Sequence, residues 1–179
     1  MAFNKTQFQD LIERVLTEIG MHSRAAVHLL LGTAAQESGF GTYLRQVGGG
    51  PPAIASQPAQ ARRAGPALGV FQMEPATEKD IWGNYLVYRE DLAEAVWQVA
   101  GAAYDVGPSV EALEANLSYQ IAMARIHYRR VPEALPRFDD IDGMAWYWKQ
   151  YYNTPLGKGT EAEFVKNYHK YITKGNSYE

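Results

Sequence analysis

Glu37 occupies a position where a charged side chain is unusual. A helix is predicted at about residues 23–38; its apolar stripe contains Val27, Leu30 and Ala34, and the next step of three residues reaches the glutamate. Burying a carboxylate is costly, and both desolvation and the negative end of the helix dipole are expected to raise its pKa. Glu37 is therefore a candidate general acid for glycoside cleavage. A solvated or ion-paired glutamate at a frayed helix end fits the periodicity equally well.

Two short blocks around this residue resemble a known family signature. Residues 36–40 read Gln-Glu-Ser-Gly-Phe, and residues 69–77 read Gly-Val-Phe-Gln-Met-Glu-Pro-Ala-Thr. Together they resemble the soluble lytic transglycosylase family, in which a catalytic Glu is followed by Ser, a small residue and Phe. A second stretch of that family, Gly-x-Met-Gln-aliphatic-x-Pro-x-Thr, lines the cleft. Phe71 stands here where the family usually has Met, and Met73 stands where it has an aliphatic residue.

A third block follows in the expected order. This block resembles the family's Tyr-Asn-x-Gly segment, whose Tyr lies near the catalytic carboxylate. It consists of Tyr151, Tyr152 and Asn153, followed by Gly157 and Gly159. Residues 154–156 intervene before the first glycine, so this match is looser than the other two. We take Tyr152 as the equivalent tyrosine.

The resemblance implies a reaction and a substrate. Glu37 would act as general acid on the bond between N-acetylmuramic acid and N-acetylglucosamine in peptidoglycan glycan strands. It would then act as base on the muramic acid 6-hydroxyl, which closes on the anomeric carbon to give a 1,6-anhydro product. A single carboxyl suffices, because the nucleophile belongs to the substrate.

The resemblance also implies residues that contact the substrate. Ser38 would orient Glu37 or contact the sugar, Gln72 would present a fixed amide, and Tyr152 would position Glu37 or polarise the transition state. Each has a structural alternative: a hydroxyl bonding a local carbonyl, an amide satisfying backbone groups, and a ring packed in the core. The full set of predicted substrate-binding residues is Ser38, Gln72, Met73, Tyr152 and Asn153.

Two rival functions are left open. A hydrolytic lysozyme would cleave the same bond with water activated by a second acid such as Glu74. A non-catalytic module would bind glycan or serve as a structural component of a phage or cell-envelope assembly. A helical protein whose motif matches are coincidental is a third, plainer reading.

Composition excludes several other classes. The chain has no Cys, which rules out disulfides, thiol catalysis and Cys-ligated zinc, and its 4 His residues show no paired metal spacing. We expect neither a metal nor a cofactor. The formal net charge is −3 with dispersed basic residues, so no nucleic-acid partner is expected.

The sequence predicts neither a membrane span nor a signal peptide. No stretch approaches the roughly 18 apolar residues of a membrane span, and the first residues contain no apolar run. An enzyme of this kind without its own export signal is typical of a bacteriophage protein, with partners in the virion or the lysis machinery. A bacterial enzyme truncated before its signal would look the same.

The periodicity that positions these residues is mostly helical. It predicts one mostly α domain over residues 1–179, for which the resemblance implies a lysozyme-like fold. We predict a long flexible loop at about 46–67, and a brief strand or extended turn near 68–74. An aromatic helix is predicted over roughly 143–153. The predicted helix caps are Asn4 or Thr6, Ser23, Thr77, Ser109, Ser118 and Thr160.

Overall fold

The structure, a computed structural model, describes residues 2–49, 64–101 and 107–174, and every structural statement below concerns these residues. They form a mostly α fold with one small antiparallel sheet, which confirms the predicted fold class. The elements are α1 (Lys5–Glu18), α2 (Arg24–Ser38), β1 (Arg45–Gly49), β2 (Ala64–Leu68), α3 (Pro75–Asn84), α4 (Glu90–Ala100), α5 (Val110–Ala115), α6 (Leu117–Arg129), α7 (Ile141–Trp148) and α8 (Glu161–Tyr168). A short 3₁₀ turn covers Leu86–Tyr88, and π-helical turns cover Lys149–Asn153 and His169–Thr173.

Helix α2 is the central element of the core. Most of its side chains are buried, so it is apolar on nearly all sides, as a helix enclosed by other helices must be. It packs against α1, α6, α7 and α8. Gly32 allows α8 to approach α2 closely, because a Cβ there would lie 2.4 Å from the Phe164 ring of α8. Ser23 caps the start of α2, and Gly39 ends it in the left-handed conformation.

The stretch predicted as a loop at 46–67 contains strand residues at both ends. Strand β1 pairs with β2 through an irregular register, in which Arg45 opposes Leu68 and Val47 opposes Ala64. Glycines and a proline in these strands interrupt the alternation by which a strand is recognised in a sequence. Residues 50–63, the middle of the predicted loop, lie outside the described residues.

The segment near 68–74 is a tight turn attached to the end of β2. Leu68 and Met73 exchange backbone hydrogen bonds of 3.0 and 3.1 Å, and residues 69–72 form the turn between them. Gly69 and Gln72 both adopt positive φ, of 72° and 47°. This turn presents its side chains next to the end of α2.

Three helix starts differ from the prediction. Helix α3 begins at Pro75 after Glu74, rather than at a cap on Thr77, because proline at the first helical position has no N–H to satisfy. Asn116, not Ser118, caps α6. The aromatic helix begins earlier, at Ile141, where Asp140 accepts a hydrogen bond from the Gly143 N–H.

No helix among the described residues combines the length and apolar character that a membrane span requires.

Candidate active site

A cleft of about 840 Å³ opens where the end of α2, the 69–73 turn, α6 and the segment 151–159 meet. Five of the six predicted site residues line it: Glu37, Gln72, Met73, Tyr152 and Asn153. They come from three sequence blocks, and the fold brings them to one place. The sixth residue, Ser38, does not line the cleft.

Glu37 lies in the last turn of α2, with a side chain that is mostly buried yet borders the cleft. Its Oε1 accepts a 2.8 Å hydrogen bond from the Trp148 indole N–H. Burial raises the pKa of Glu37 from 4.5 to about 7, against the opposing effect of the indole hydrogen bond. The apolar-stripe position had predicted this direction. A carboxyl with such a pKa exists in both protonation states near neutral pH, as acid/base chemistry requires.

Trp148 was not among the predicted site residues. It ends α7 and is completely buried, with its ring 5.5 Å from that of Phe164 and in close contact with Gly159. A Cβ at Gly159 would lie 2.6 Å from the indole Cη2. The sequence contains no local signal for the Glu37 contact, because 111 residues separate the two partners.

Gln72 lines the cleft from a strained backbone position. Its side-chain Nε2 donates a 2.8 Å hydrogen bond to the Gly69 carbonyl within the same turn. The amide nitrogen therefore stabilises the backbone, while the residue borders the cleft. Met73 follows it and is almost fully buried, so it supplies an apolar part of the wall.

Tyr152 connects the opposite wall to this turn. Its hydroxyl donates a 2.9 Å hydrogen bond to the Phe71 carbonyl, and its ring packs against His127 and Tyr128. Burial, followed by the negative charge of Glu37, raises the pKa of Tyr152 well above its ordinary value. The hydroxyl therefore stays protonated and acts as a donor.

Asn153 lines the cleft, but its Oδ1 is already engaged by the chain. It accepts a 2.8 Å hydrogen bond from Lys149 Nζ, which also donates to the Gly157 carbonyl at 2.7 Å. This lysine ties the π-helical turn to the 154–159 loop. The next residue, Thr154, has φ 69° and ψ 151°, a conformation that only glycine adopts without strain.

Ser38 requires a correction. Its side chain is completely buried; the hydroxyl donates to the Ala34 carbonyl at 3.1 Å and accepts from the Gly41 N–H at 2.9 Å. These contacts complete the end of α2, where carbonyl groups lack helical partners. The structure therefore shows Ser38 in its local alternative, a hydroxyl bonding a carbonyl of its own helix, rather than facing the cleft.

His127 is a further cleft residue that sequence reasoning missed. Its Nε2 donates to the Tyr151 carbonyl at 3.0 Å, and its Nδ1 accepts from Arg130 at 3.2 Å. Burial and the nearby Arg130 charge lower its pKa to about 4. The neutral imidazole thus holds the Tyr151 backbone. As a separate observation, the described residues contain no group of His, Asp and Glu able to hold a metal.

Glu74 is a second carboxyl on the cleft. Its side chain is exposed and makes no capping hydrogen bond to α3. The cleft therefore contains one shielded carboxyl, Glu37, and one solvated carboxyl, Glu74.

Comparison of the chain with protein-family models, with curated proteins and with solved structures gave no match. The site must therefore be interpreted from its own chemistry.

Proposed function

We propose that this protein is a lytic transglycosylase that cleaves the N-acetylmuramic acid–N-acetylglucosamine β-1,4 bond of peptidoglycan, with Glu37 as general acid and base. One observation carries the proposal. Glu37 is a shielded carboxyl with a pKa of about 7 on a cleft that Gln72 and Tyr152 also line. The three sequence blocks that contain these residues resemble the soluble lytic transglycosylases, and this resemblance indicates peptidoglycan as the substrate.

The proposed reaction has two proton transfers through one carboxyl. Protonated Glu37 donates its proton to the glycosidic oxygen as the bond from the anomeric carbon to that oxygen breaks. The resulting carboxylate then accepts the proton of the muramic acid 6-hydroxyl. The hydroxyl oxygen bonds to the anomeric carbon, which gives the 1,6-anhydro ring and returns Glu37 to its protonated state. No water is consumed.

Zymography on peptidoglycan with wild type and Glu37→Gln tests the proposal. Glutamine keeps the shape of the side chain but cannot exchange a proton, so lysis should disappear. Glu18→Gln, at an exposed position at the end of α1, is the matched control and should lyse like wild type. Equal lysis by wild type and Glu37→Gln would refute the catalytic role.

Glu74 favours a second candidate, a hydrolytic lysozyme, because its exposed carboxyl lines the same cleft. In that reaction Glu74 would activate water against the anomeric carbon. Mass spectrometry separates the two, since the transglycosylase product is lighter by one water and lacks a reducing end. Glu74→Gln should leave the anhydro product unchanged under our proposal and should abolish cleavage in a hydrolase. Glycan binding without lysis by the wild type would instead indicate a binding module.

A further inference from the structure

The two carboxyl oxygens of Glu37 have different surroundings. Oε1 accepts the hydrogen bond from the Trp148 indole N–H at 2.8 Å. No described residue donates to Oε2, and this oxygen is not sealed inside the protein, since Glu37 borders the cleft. One oxygen is therefore held by the protein, and the other is left for the cleft.

An indole N–H can donate a hydrogen bond but cannot accept one. In a protonated carboxyl the carbonyl oxygen is a better acceptor than the hydroxyl oxygen, so the indole favours the form of Glu37 in which Oε1 is the carbonyl oxygen and the proton resides on Oε2. We propose that Trp148 is a positioning residue, which holds Oε1 of Glu37 so that Oε2 is the oxygen that exchanges the proton with substrate. The substrate step of this inference rests on the proposed function.

The indole is held firmly enough to serve in this way. Trp148 is completely buried, its ring lies 5.5 Å from that of Phe164, and Gly159 contacts its far edge without room for a Cβ. Close packing of this kind leaves few alternative rotamers. The direction of the N–H, and with it the orientation of the carboxyl plane, is therefore set by α7, α8 and the 154–159 loop.

The hydrogen bond also has an electrostatic effect that a purely structural tryptophan would lack. It stabilises the ionised carboxylate, and so it opposes the increase in the pKa of Glu37 that burial causes. Removing the N–H should raise the pKa of Glu37 above about 7. A change that removes only ring volume leaves this hydrogen bond in place and therefore should not raise the Glu37 pKa in this way.

The sharpest variant replaces Trp148 with 3-benzothienylalanine, which exchanges the N–H for sulfur and keeps the ring size. Carboxyl ¹³C NMR should then show a higher Glu37 pKa, and the alkaline limb of the pH–activity profile should move upward with it. We expect kcat to fall about tenfold, with KM little changed, because the lost contact orients the proton rather than the sugar. Trp148→Phe, which also removes the N–H, provides a second variant if incorporation fails.

Trp82→Phe is the matched control. The buried Trp82 indole also donates one hydrogen bond, of 2.9 Å to the Tyr119 hydroxyl, but Trp82 does not line the cleft that contains Glu37. Its loss should reduce the free energy of unfolding and leave the Glu37 pKa unchanged. An unchanged Glu37 pKa in both Trp148 variants would overturn the proposal.

A spectroscopic readout separates this inference from the proposed function. In wild type, the ¹⁵N–¹H resonance of the Trp148 indole should titrate with the Glu37 pKa, and in Glu37→Gln that step should vanish. A resonance indifferent to Glu37 would contradict the inference even if the enzyme lyses cell walls. An indole that titrates in a protein that cleaves no glycan would refute the proposed function and leave the coupling of Trp148 to Glu37 intact.

Discussion

The Tyr152 hydroxyl donates a 2.9 Å hydrogen bond to the backbone carbonyl of Phe71, 81 residues away in the chain. The contact joins the π-helical turn Lys149–Asn153 to the turn that presents Gln72. Two of the three sequence blocks of the candidate site are thereby held in one geometry. Tyr152 makes no hydrogen bond to Glu37 among the described contacts, so its contribution to the site is to hold the cleft wall in place.

Tyr152→Phe tests this connection. We expect a loss of about 1 kcal/mol in the free energy of unfolding and a fall in lytic activity, because the Gln72 turn loses its tie to the opposite wall. Tyr168→Phe is the control: it removes a 2.6 Å hydrogen bond to His28 and lies outside the cleft. Denaturant unfolding and lysis assays on both variants provide the comparison. Full activity in Tyr152→Phe would show that the tie has no functional role.

The raised pKa of Glu37 predicts a stability that depends on pH. Between the free-carboxyl value of 4.5 and about 7, the folded protein retains a proton that the unfolded chain releases, so stability is present at low pH and declines as pH rises. Glutamine mimics the protonated form at every pH. Glu37→Gln should therefore match wild type near about pH 4 and exceed it by up to about 3 kcal/mol near about pH 8. Urea unfolding at both pH values measures the gap, and a gap independent of pH would contradict the burial of this carboxyl.

The backbone strain at Thr154 predicts that glycine at this position would stabilise the protein. At φ 69° and ψ 151° its side chain strains the backbone beside the cleft. Thr154→Gly should raise the free energy of unfolding by about 1 kcal/mol, since glycine adopts this conformation freely. Thr154→Ala keeps a Cβ and should bring no gain. Equal stability of the two variants would mean that the strain is absent.

The buried His127 should remain neutral far below the usual range. Its pKa of about 4 and its contacts predict an imidazole protonated only on Nε2 at neutral pH. Because the unfolded chain takes up a proton near 6.5, this residue stabilises the fold above that value, and its contribution is lost as pH falls through about 4. Imidazole ¹⁵N NMR measures both the tautomer and the pKa. Protonation near 6.5 would show that the ring is not enclosed as described.

Features determined by neighbours along the chain could be predicted from the sequence. Ser23 and Thr160 cap their helices as expected, since a capping side chain bonds an N–H only a few residues away. The position of Glu37 on an apolar stripe likewise depends only on the period of one helix. The mostly α fold and the place of Glu37 at the end of α2 follow from this local information.

Features determined by distant contacts could not be predicted in this way. The ends of the 46–67 stretch pair as strands, although their glycines conceal the alternating pattern. Trp148 and Glu37 lie 111 residues apart in the chain, and they meet because α7 packs against both α2 and α8. The sequence by itself determined that Glu37 continues the apolar stripe of its helix, because helical periodicity is local, but it left a shielded and a solvated carboxyl equally open. Only the tertiary structure decided which donor that carboxyl would meet, because long-range packing has no short-range signature.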